Sequence, residues 1–496
     1  MITLSAGVVV RLWNLGHQSF SMDEVWELQI AHAPWTDIHL IDDGFPPLFH
    51  YLLKVLLIMG SDMAGRWLAA AAGIATLYVV YRLGNALDRS AEPGLGLIAA
   101  AVLAWFPLHI HLAREGRVYS LAILGVAIAI LGIWSIAENA SNHARPWLIY
   151  GSGLVLGMWL HYGLAVVALL GAGLTFFLSD DRKSWLTTHA VAGALALPIL
   201  IPLGGDLVPH TTIVTARDAG LAEIGFLGKT LVFGFGLGPS ARQLHVMSAG
   251  DAIAQLAPWI IVLVPAIGYL AWAGWDRLQE RARRVLLVLI FGGLVLTTAL
   301  ISLSGIGFQV RYFAWLVVPI SLWLAAGLAR PGTGPTVAGL VCAVAALVSI
   351  GAREFSPEHQ TEDARAVAAF VTEAEPLPGF ALSWYMANPI NYYLTPEAFL
   401  PIEDPRLASD VLGPRNKPGL AAIPLSNNVS GSQPDEILIG LIADSTDPGD
   451  RYYLFYSRPF HGDDDGSFLA SLTEIDQLEQ VFEAPGYRVF EGVRAN

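Results

Sequence analysis

Apolar residues recur in this chain in runs too long for an ordinary globular core. They extend from Leu95 to Phe106, Ser120 to Ala137, Trp147 to Leu160, Val285 to Leu303 and Thr336 to Ile350. A helix needs about 20 mostly apolar residues to cross a bilayer. Several of these runs reach that length once their uncharged flanks are counted. Only 14% of the 496 residues are charged, against roughly 25% in a soluble globular chain. Too few polar side chains remain to cover a soluble surface of that size. The reading is a polytopic α-helical membrane protein.

The formal net charge of −14 comes largely from the C-terminal third. No basic footprint for nucleic acid is present. Cys342 is the single cysteine, which excludes intramolecular disulfides and Cys-based metal sites. No cleavable signal peptide is evident, because a basic leading segment and a small-residue cleavage site are both missing. Met1 to Val10 is apolar but short for a span. That fits either an unusually short first helix or a native start further upstream.

Lys and Arg are retained on the cytoplasmic side of membrane proteins. Short basic connections occur at Arg82/Arg89, Arg145, Arg182-Lys183, Arg277/Arg281/Arg283/Arg284 and Arg330, and all are placed inside. The apolar runs thread between them as spans near 1–13, 64–84, 94–112, 119–137, 147–161, 163–178, 185–203, 252–274, 285–304, 312–329 and 335–352. That is about eleven transmembrane helices, with the C-terminus outside. Leu48 to Gly60 is too short for a span and carries Lys54, so it reads as an in-plane helix on the outer face. The transmembrane domain covers 1–352, with an outer loop at 14–63 and a longer one at 204–250. After Arg353 charged residues and turn signals such as Asp447-Pro448-Gly449-Asp450 appear. Strand-like runs follow at Phe380 to Trp384, Ile437 to Ile442 and Tyr452 to Tyr456. Residues 353–496 read as a soluble, mixed α/β, extracytoplasmic domain.

The outer loop after the first helix holds two adjacent acids, Asp23-Glu24, and further on Asp42-Asp43 before Phe45-Pro46-Pro47-Leu48. Charges near a bilayer are costly, so a cluster of them is a functional hypothesis. The plainer reading is a helix cap, since Ser21 with Glu24 fits a Ser-x-x-Glu capping box. Both hold if Glu24 caps while Asp23 faces substrate. Arginines stand at the same face in Arg114-Glu115-Gly116-Arg117-Val118-Tyr119 and in Gln309-Val310-Arg311-Tyr312. Arginine matches phosphate oxygens bidentately and keeps its charge. The plainer reading there is interfacial snorkelling beside an aromatic belt. Opposite an acidic pair, however, they suggest a site for an anionic lipid headgroup.

Other features are discounted. Asp463-Asp464-Asp465 reads as a solvated turn. His109 and His111 read as cavity-lining residues rather than metal ligands, and His161-Tyr162 as bordering the same cavity. Gly234, Gly236 and Gly238 read as a flexible loop or lid, and Asn428-Val429-Ser430 as a sequon by pattern only.

The ordered set resembles the GT-C superfamily of membrane glycosyltransferases, in the branch of protein O-mannosyltransferases and the aminoarabinose transferase of lipid A. The residues carrying the resemblance are Asp23-Glu24, Pro46-Pro47-Leu48-Phe49-His50-Tyr51, the helix from Arg66-Trp67-Leu68 to Tyr81-Arg82-Leu83-Gly84, Pro107-Leu108-His109 through Tyr119, and Arg311-Tyr312. Arg114 departs from the glutamine usual in relatives, Gly116 from alanine, and Phe45 from His or Lys.

The resemblance implies an inverting hexosyl- or pentosyltransferase that takes a polyprenyl-phosphate sugar as donor and a glycan, lipid or protein as acceptor. It would work at the outer face of a bacterial plasma membrane. Asp23 would be the general base and Glu24 its support. Arg117 and Arg311 would hold the leaving phosphate, with Arg114 and Lys54 as secondary candidates. Glu115 would orient these arginines or contact sugar, and Asp43 would be a second acid near the acceptor. His109, Tyr119 and Tyr312 complete the expected substrate-binding set. Asp23 and Glu24 could hold a divalent cation, but no cofactor is expected. The competing class is a transporter or lipid flippase of cell-envelope biogenesis. Transporters place ionisable groups near the midplane, whereas here they gather at one face.

Overall fold

The structure is a computed structural model of the chain. It describes residues 2–40, 45–88, 94–138, 144–200, 220–304, 307–382, 384–396, 421–422, 434–459, 463 and 466–495. Asp42, Asp43, Arg89, Asp464, Asp465, the Asn428 sequon and the first part of the 204–250 loop lie outside the described residues.

The helical part begins with α1 Ile2–Leu12, α2 Met22–His32, α3 Leu48–Leu57, α4 Ala64–Leu87, α5 Leu95–Ala104 and α6 Pro107–Leu112. It continues with α7 Tyr119–Glu138, α8 Ala144–Met158, α9 Ala165–Leu178, α10 Arg182–Leu200, α11 Leu221–Phe233 and α12 Ala241–Val246. The last members are α13 Ala249–Arg277, α14 Glu280–Leu287, α15 Gly293–Ser304, α16 Val317–Leu328 and α17 Thr333–Phe355. A π-turn over Val288–Gly292 joins α14 to α15, and a 3-10 turn over Val310–Leu316 leads into α16. Pro107 explains the break between α5 and α6. It lacks an N–H and sits where a helix begins.

Among the described residues, six helical stretches are long and apolar enough to cross a membrane: 64–87, 119–138, 249–277, 280–303, 310–328 and 333–355. The other expected spans fall on shorter or more polar helices: α1, the broken α5–α6 pair, and α8 to α10. In the most apolar window of α7, 78% of residues are buried, against 17% for α13. So α7 is central, while α13 turns Ile261, Trp272 and similar side chains outward, as a lipid-facing helix does. In the centre, helices meet backbone to backbone. A Cβ on Gly132 of α7 would lie 2.4 Å from the Tyr150 N and Cα of α8. Small residues permit that approach where lipid supplies no hydrophobic drive.

Beyond α17 the chain builds a five-stranded mixed sheet from β1 Gly379–Ala381, β2 Ala421–Ala422, β3 Arg451–Tyr456, β4 Gln477–Ala484 and β5 Tyr487–Val493. Its order is β2-β1-β3-β5-β4, with β2-β1-β3 parallel and β3-β5-β4 antiparallel. Period-2 alternation sorts β3 between two cores. Tyr453 and Phe455 join α18 Ala364–Glu373 and α19 Trp384–Leu394 on one face. Tyr452, Leu454 and Tyr456 join α20 Pro434–Ser445 and α21 Ser467–Ile475 on the other. Ile437 to Ile442, expected as a strand, is therefore helix. A short apolar run cannot be assigned by periodicity alone, and Pro434-Asp435-Glu436 before it is a helix-start signal.

The sheet unit clasps the loop before α2. Phe20 lies 5.6 Å from the Tyr392 ring and stacks on Tyr393 at 6.3 Å. Its N–H donates to the Tyr393 hydroxyl at 2.8 Å, and the Ser19 hydroxyl donates to Asp363 at 2.5 Å.

Candidate active site

Ser21 opens α2. Its extended backbone (φ −68°, ψ 163°) lets its hydroxyl accept the Glu24 N–H, while the Glu24 carboxylate accepts the Ser21 N–H at 2.9 Å. The capping box read from the sequence is formed. It sets both acids in the first helical turn, where the helix dipole favours negative charge.

The two acids then face different partners. Glu24 is buried. It pairs with Arg66 Nε at 2.7 Å and Nη2 at 2.9 Å, and accepts the Gly116 N–H at 2.8 Å. A Cβ at Gly116 would stand 3.2 Å from the Glu24 Oε1 and 3.3 Å from the Arg66 N, so glycine fits this crossing most easily. Asp23 meets Arg311 Nη1 through its Oδ2 at 2.8 Å, and the same oxygen accepts from Arg117. Arg117 Nε also donates to Glu27 at 3.1 Å, and Glu27 stands 2.5 Å from His50 Nε2. Asp23 and Arg311 keep 29% and 31% exposure, whereas Arg117 keeps 7%. The Asp23–Arg311 edge is thus open to a ligand, and Arg117 backs it.

Aromatic rings wall the cluster. Arg117 lies over Phe45 at 5.5 Å and Tyr119 at 5.4 Å, and Arg311 over Tyr119 at 5.4 Å. Tyr312 meets His161 edge-on at 5.3 Å. Burial opposes charge on Asp23, but Arg117 and Arg311 outweigh it and hold its carboxyl well below the usual range. Burial likewise opposes charge on Glu24, and Arg66 with backbone donors pulls its carboxyl down. For Glu115 burial dominates and pushes the carboxyl up.

Asp23, Arg117, Tyr119, Arg311 and Tyr312 are therefore brought together. The other expected site residues have partners of their own. Lys54 donates to the Ala31 and Ala33 carbonyls at 3.1 and 2.6 Å, where a cation closes the C-terminal end of α2. Arg114 bridges α17 and α1, through Glu354 at 3.0 Å and the Val10 carbonyl at 2.6 Å. His109 is fully buried rather than cavity-lining, and its Nδ1 lies 2.7 Å from Arg11. Glu115 stands 3.8 Å from His111. Both line, with Arg114, a cleft that also borders Glu24, Arg66, Arg353 and Glu354. Among the described residues, no group of three or more His, Cys, Asp or Glu is placed to hold a metal ion.

Glu27, His50 and Arg458 were not singled out from the sequence. Glu27 had a signal, lying one helical turn beyond Asp23 on the same face. Arg458 had none: it follows β3, has a left-handed backbone at φ 47°, and donates to Glu362 at 2.8 Å. That backbone costs on the order of 1–3 kcal/mol outside glycine.

No family model matches the chain, and no curated protein sequence matches it. Solved structures do match, and what they share with this chain is a fold, that of membrane glycosyltransferases. The particular likeness is to ArnT from Cupriavidus metallidurans. Its apo state matches with a TM-score of 0.57 at 12% identity. Its complex with undecaprenyl phosphate matches at 0.56 and 10%. Each match covers 99% of this chain and 97% of ArnT. An oligosaccharyltransferase from Archaeoglobus fulgidus, in complex with Zn and sulfate, matches at 0.50 with 13% identity, over 92% of this chain and 68% of its own. The expected GT-C resemblance is borne out as a fold.

Proposed function

We propose that the chain is an inverting glycosyltransferase, moving a sugar from a polyprenyl-phosphate donor to an acceptor hydroxyl at the outer face of a bacterial plasma membrane. The observation that carries this reading is the convergence of Asp23, Arg117 and Arg311, from three distant segments, on one carboxylate oxygen. The end-to-end likeness to ArnT, whose structure holds undecaprenyl phosphate, supports it. The transporter alternative is not favoured.

In this reaction the acceptor oxygen attacks the anomeric carbon opposite the lipid phosphate. The C–O bond to phosphate breaks, the phosphate leaves with the electron pair, and the acceptor proton passes to Asp23. The phosphate is already a good leaving group, so it needs positive charge rather than an acid. Arg117 and Arg311 supply that charge. Without donor they hold Asp23 ionised but weakly basic. A phosphate that takes them over frees the carboxylate and raises its basicity, so base strength rises only when donor is present. Glu24 acts through position, fixing the turn that aims Asp23. The reading assigns no divalent cation.

The test is transfer from radiolabelled polyprenyl-phosphate sugars in membranes. Asp23→Asn is expected to lower the rate about 100-fold or more while the protein still accumulates. Full activity in a folded Asp23→Asn variant overturns the assigned base.

A further inference from the structure

Ser457-Arg458-Pro459 leaves the carboxyl end of β3, which runs parallel to β1. In open α/β sheets ligands gather outside such ends. A residue before proline is pushed toward extended conformations, yet Arg458 is left-handed. Bulky residues keep that state only where the surroundings enforce it, and they concentrate at functional sites.

The enforcement is visible. Buried Glu362 accepts from Arg458 Nε at 2.8 Å. The next residue, Asp363, accepts from Ser19 at 2.5 Å on the loop that leads to Asp23. Adjacent carboxylates thus hold an arginine of the C-terminal domain with one hand and the catalytic loop with the other. The Arg458 side chain keeps 27% exposure, close to that of Asp23 and Arg311. Its charge adds the smallest share to the pull of Arg117 and Arg311 that lowers the Asp23 carboxyl.

We propose that Arg458 is a third phosphate-binding arginine, delivered by the C-terminal domain to join Arg117 and Arg311 on a substrate phosphate group at Asp23. This rests on the glycosyl-transfer reading and extends it. The phosphate is that of the donor lipid or one presented without a lipid.

The test is binding to the full chain in detergent, with undecaprenyl phosphate and, separately, inorganic phosphate as probes. The variants are Arg458→Ala, Arg458→Lys, Glu362→Gln and Arg311→Ala, each with its unfolding temperature. Arg458→Ala is expected to weaken binding about tenfold, and Arg458→Lys less. Glu362→Gln is expected to weaken it in the same direction with Arg458 still present. Weakening toward undecaprenyl phosphate assigns the group to the donor lipid. Weakening toward inorganic phosphate alone assigns it to a phosphate without a lipid. If Arg311→Ala weakens binding and Arg458→Ala does not, Arg458 is structural and the inference falls while the transferase reading stands. If Arg311→Ala has no effect either, the phosphate site fails and takes the inference with it. Should Arg458→Ala not fold, unchanged binding in both Arg458→Lys and Glu362→Gln overturns the inference.

Discussion

Asp23 and Glu24 occupy one helical turn, so their side chains leave the axis about 100° apart. One reaches a half-open edge with two arginines and the other a buried guanidinium. Removing Glu24 leaves the buried Arg66 with the Leu15, Gln18 and Ser19 carbonyls but no countercharge, and breaking a buried pair in that way costs about 3–5 kcal/mol. Glu24→Ala is therefore expected to lower the unfolding temperature in detergent sharply, and Asp23→Asn less so, because Arg117 keeps Glu27 and Arg311 is partly exposed. The pH behaviour has a definite sign. The folded carboxyl of Asp23 titrates below its unfolded value of about 3.9. Its contribution to stability is present above that value and is lost as pH falls below it. Burial opposes charge on Glu362 too, but Arg458 and Arg242 bring its carboxyl to about 2. Its contribution is lost on acidification from about pH 4.3 towards about pH 2. Glu362→Gln is expected to flatten the acid limb of an unfolding-against-pH curve in that window. Asp23, Arg117 and Arg311 were legible because charge at a membrane boundary stands out from apolar surroundings. The same signal drew in Lys54, because a cation that closes a helix end looks, in sequence, like one that faces a ligand.

At the scale of elements, the close crossings set what the fold tolerates. Gly132→Leu forces a side chain into the Tyr150 backbone of α8, where overpacking costs about 1–3 kcal/mol or more. It is expected to reduce the protein recovered from membranes, read against wild type by immunoblot. Long apolar helices such as α7, α13 and α17 were plain in the sequence, because nothing but a span needs such a run. Elements near the ends of spans were less so. Pro107 splits one expected span into α5 and α6, and the Ile437 to Ile442 run turned out helical because its flanks, not its periodicity, carried the information.

For the whole molecule, the proposed orientation puts the acidic loop outside and the basic start of α14, Arg281 to Arg284, inside. With Cys342 replaced by Ala, a cysteine at exposed His17 is expected to react with a membrane-impermeant maleimide in intact cells. One at exposed Arg284 is expected to be protected. The opposite labelling pattern overturns the topology. The clasp of the sheet unit on Ser19 and Phe20 was not legible at all, since it joins residues more than 340 positions apart with no local pattern to mark it.

Arg11 bears on how such a chain is made. It is fully buried in α1, and its guanidinium donates to the Leu103 and Ala104 carbonyls and meets His109. When α1 leaves the ribosome, none of these partners has yet been synthesised. An arginine in a lone helix costs up to about 2.5–3.5 kcal/mol on insertion scales, and less in the last turn, where Arg11 stands. By itself α1 is therefore weakened as an insertion signal, and it settles when α5 and α6 arrive to receive it. Arg11→Leu is expected to let α1 insert alone in a translocon assay and, once the chain is complete, to leave His109 and two carbonyls without the cation that holds them.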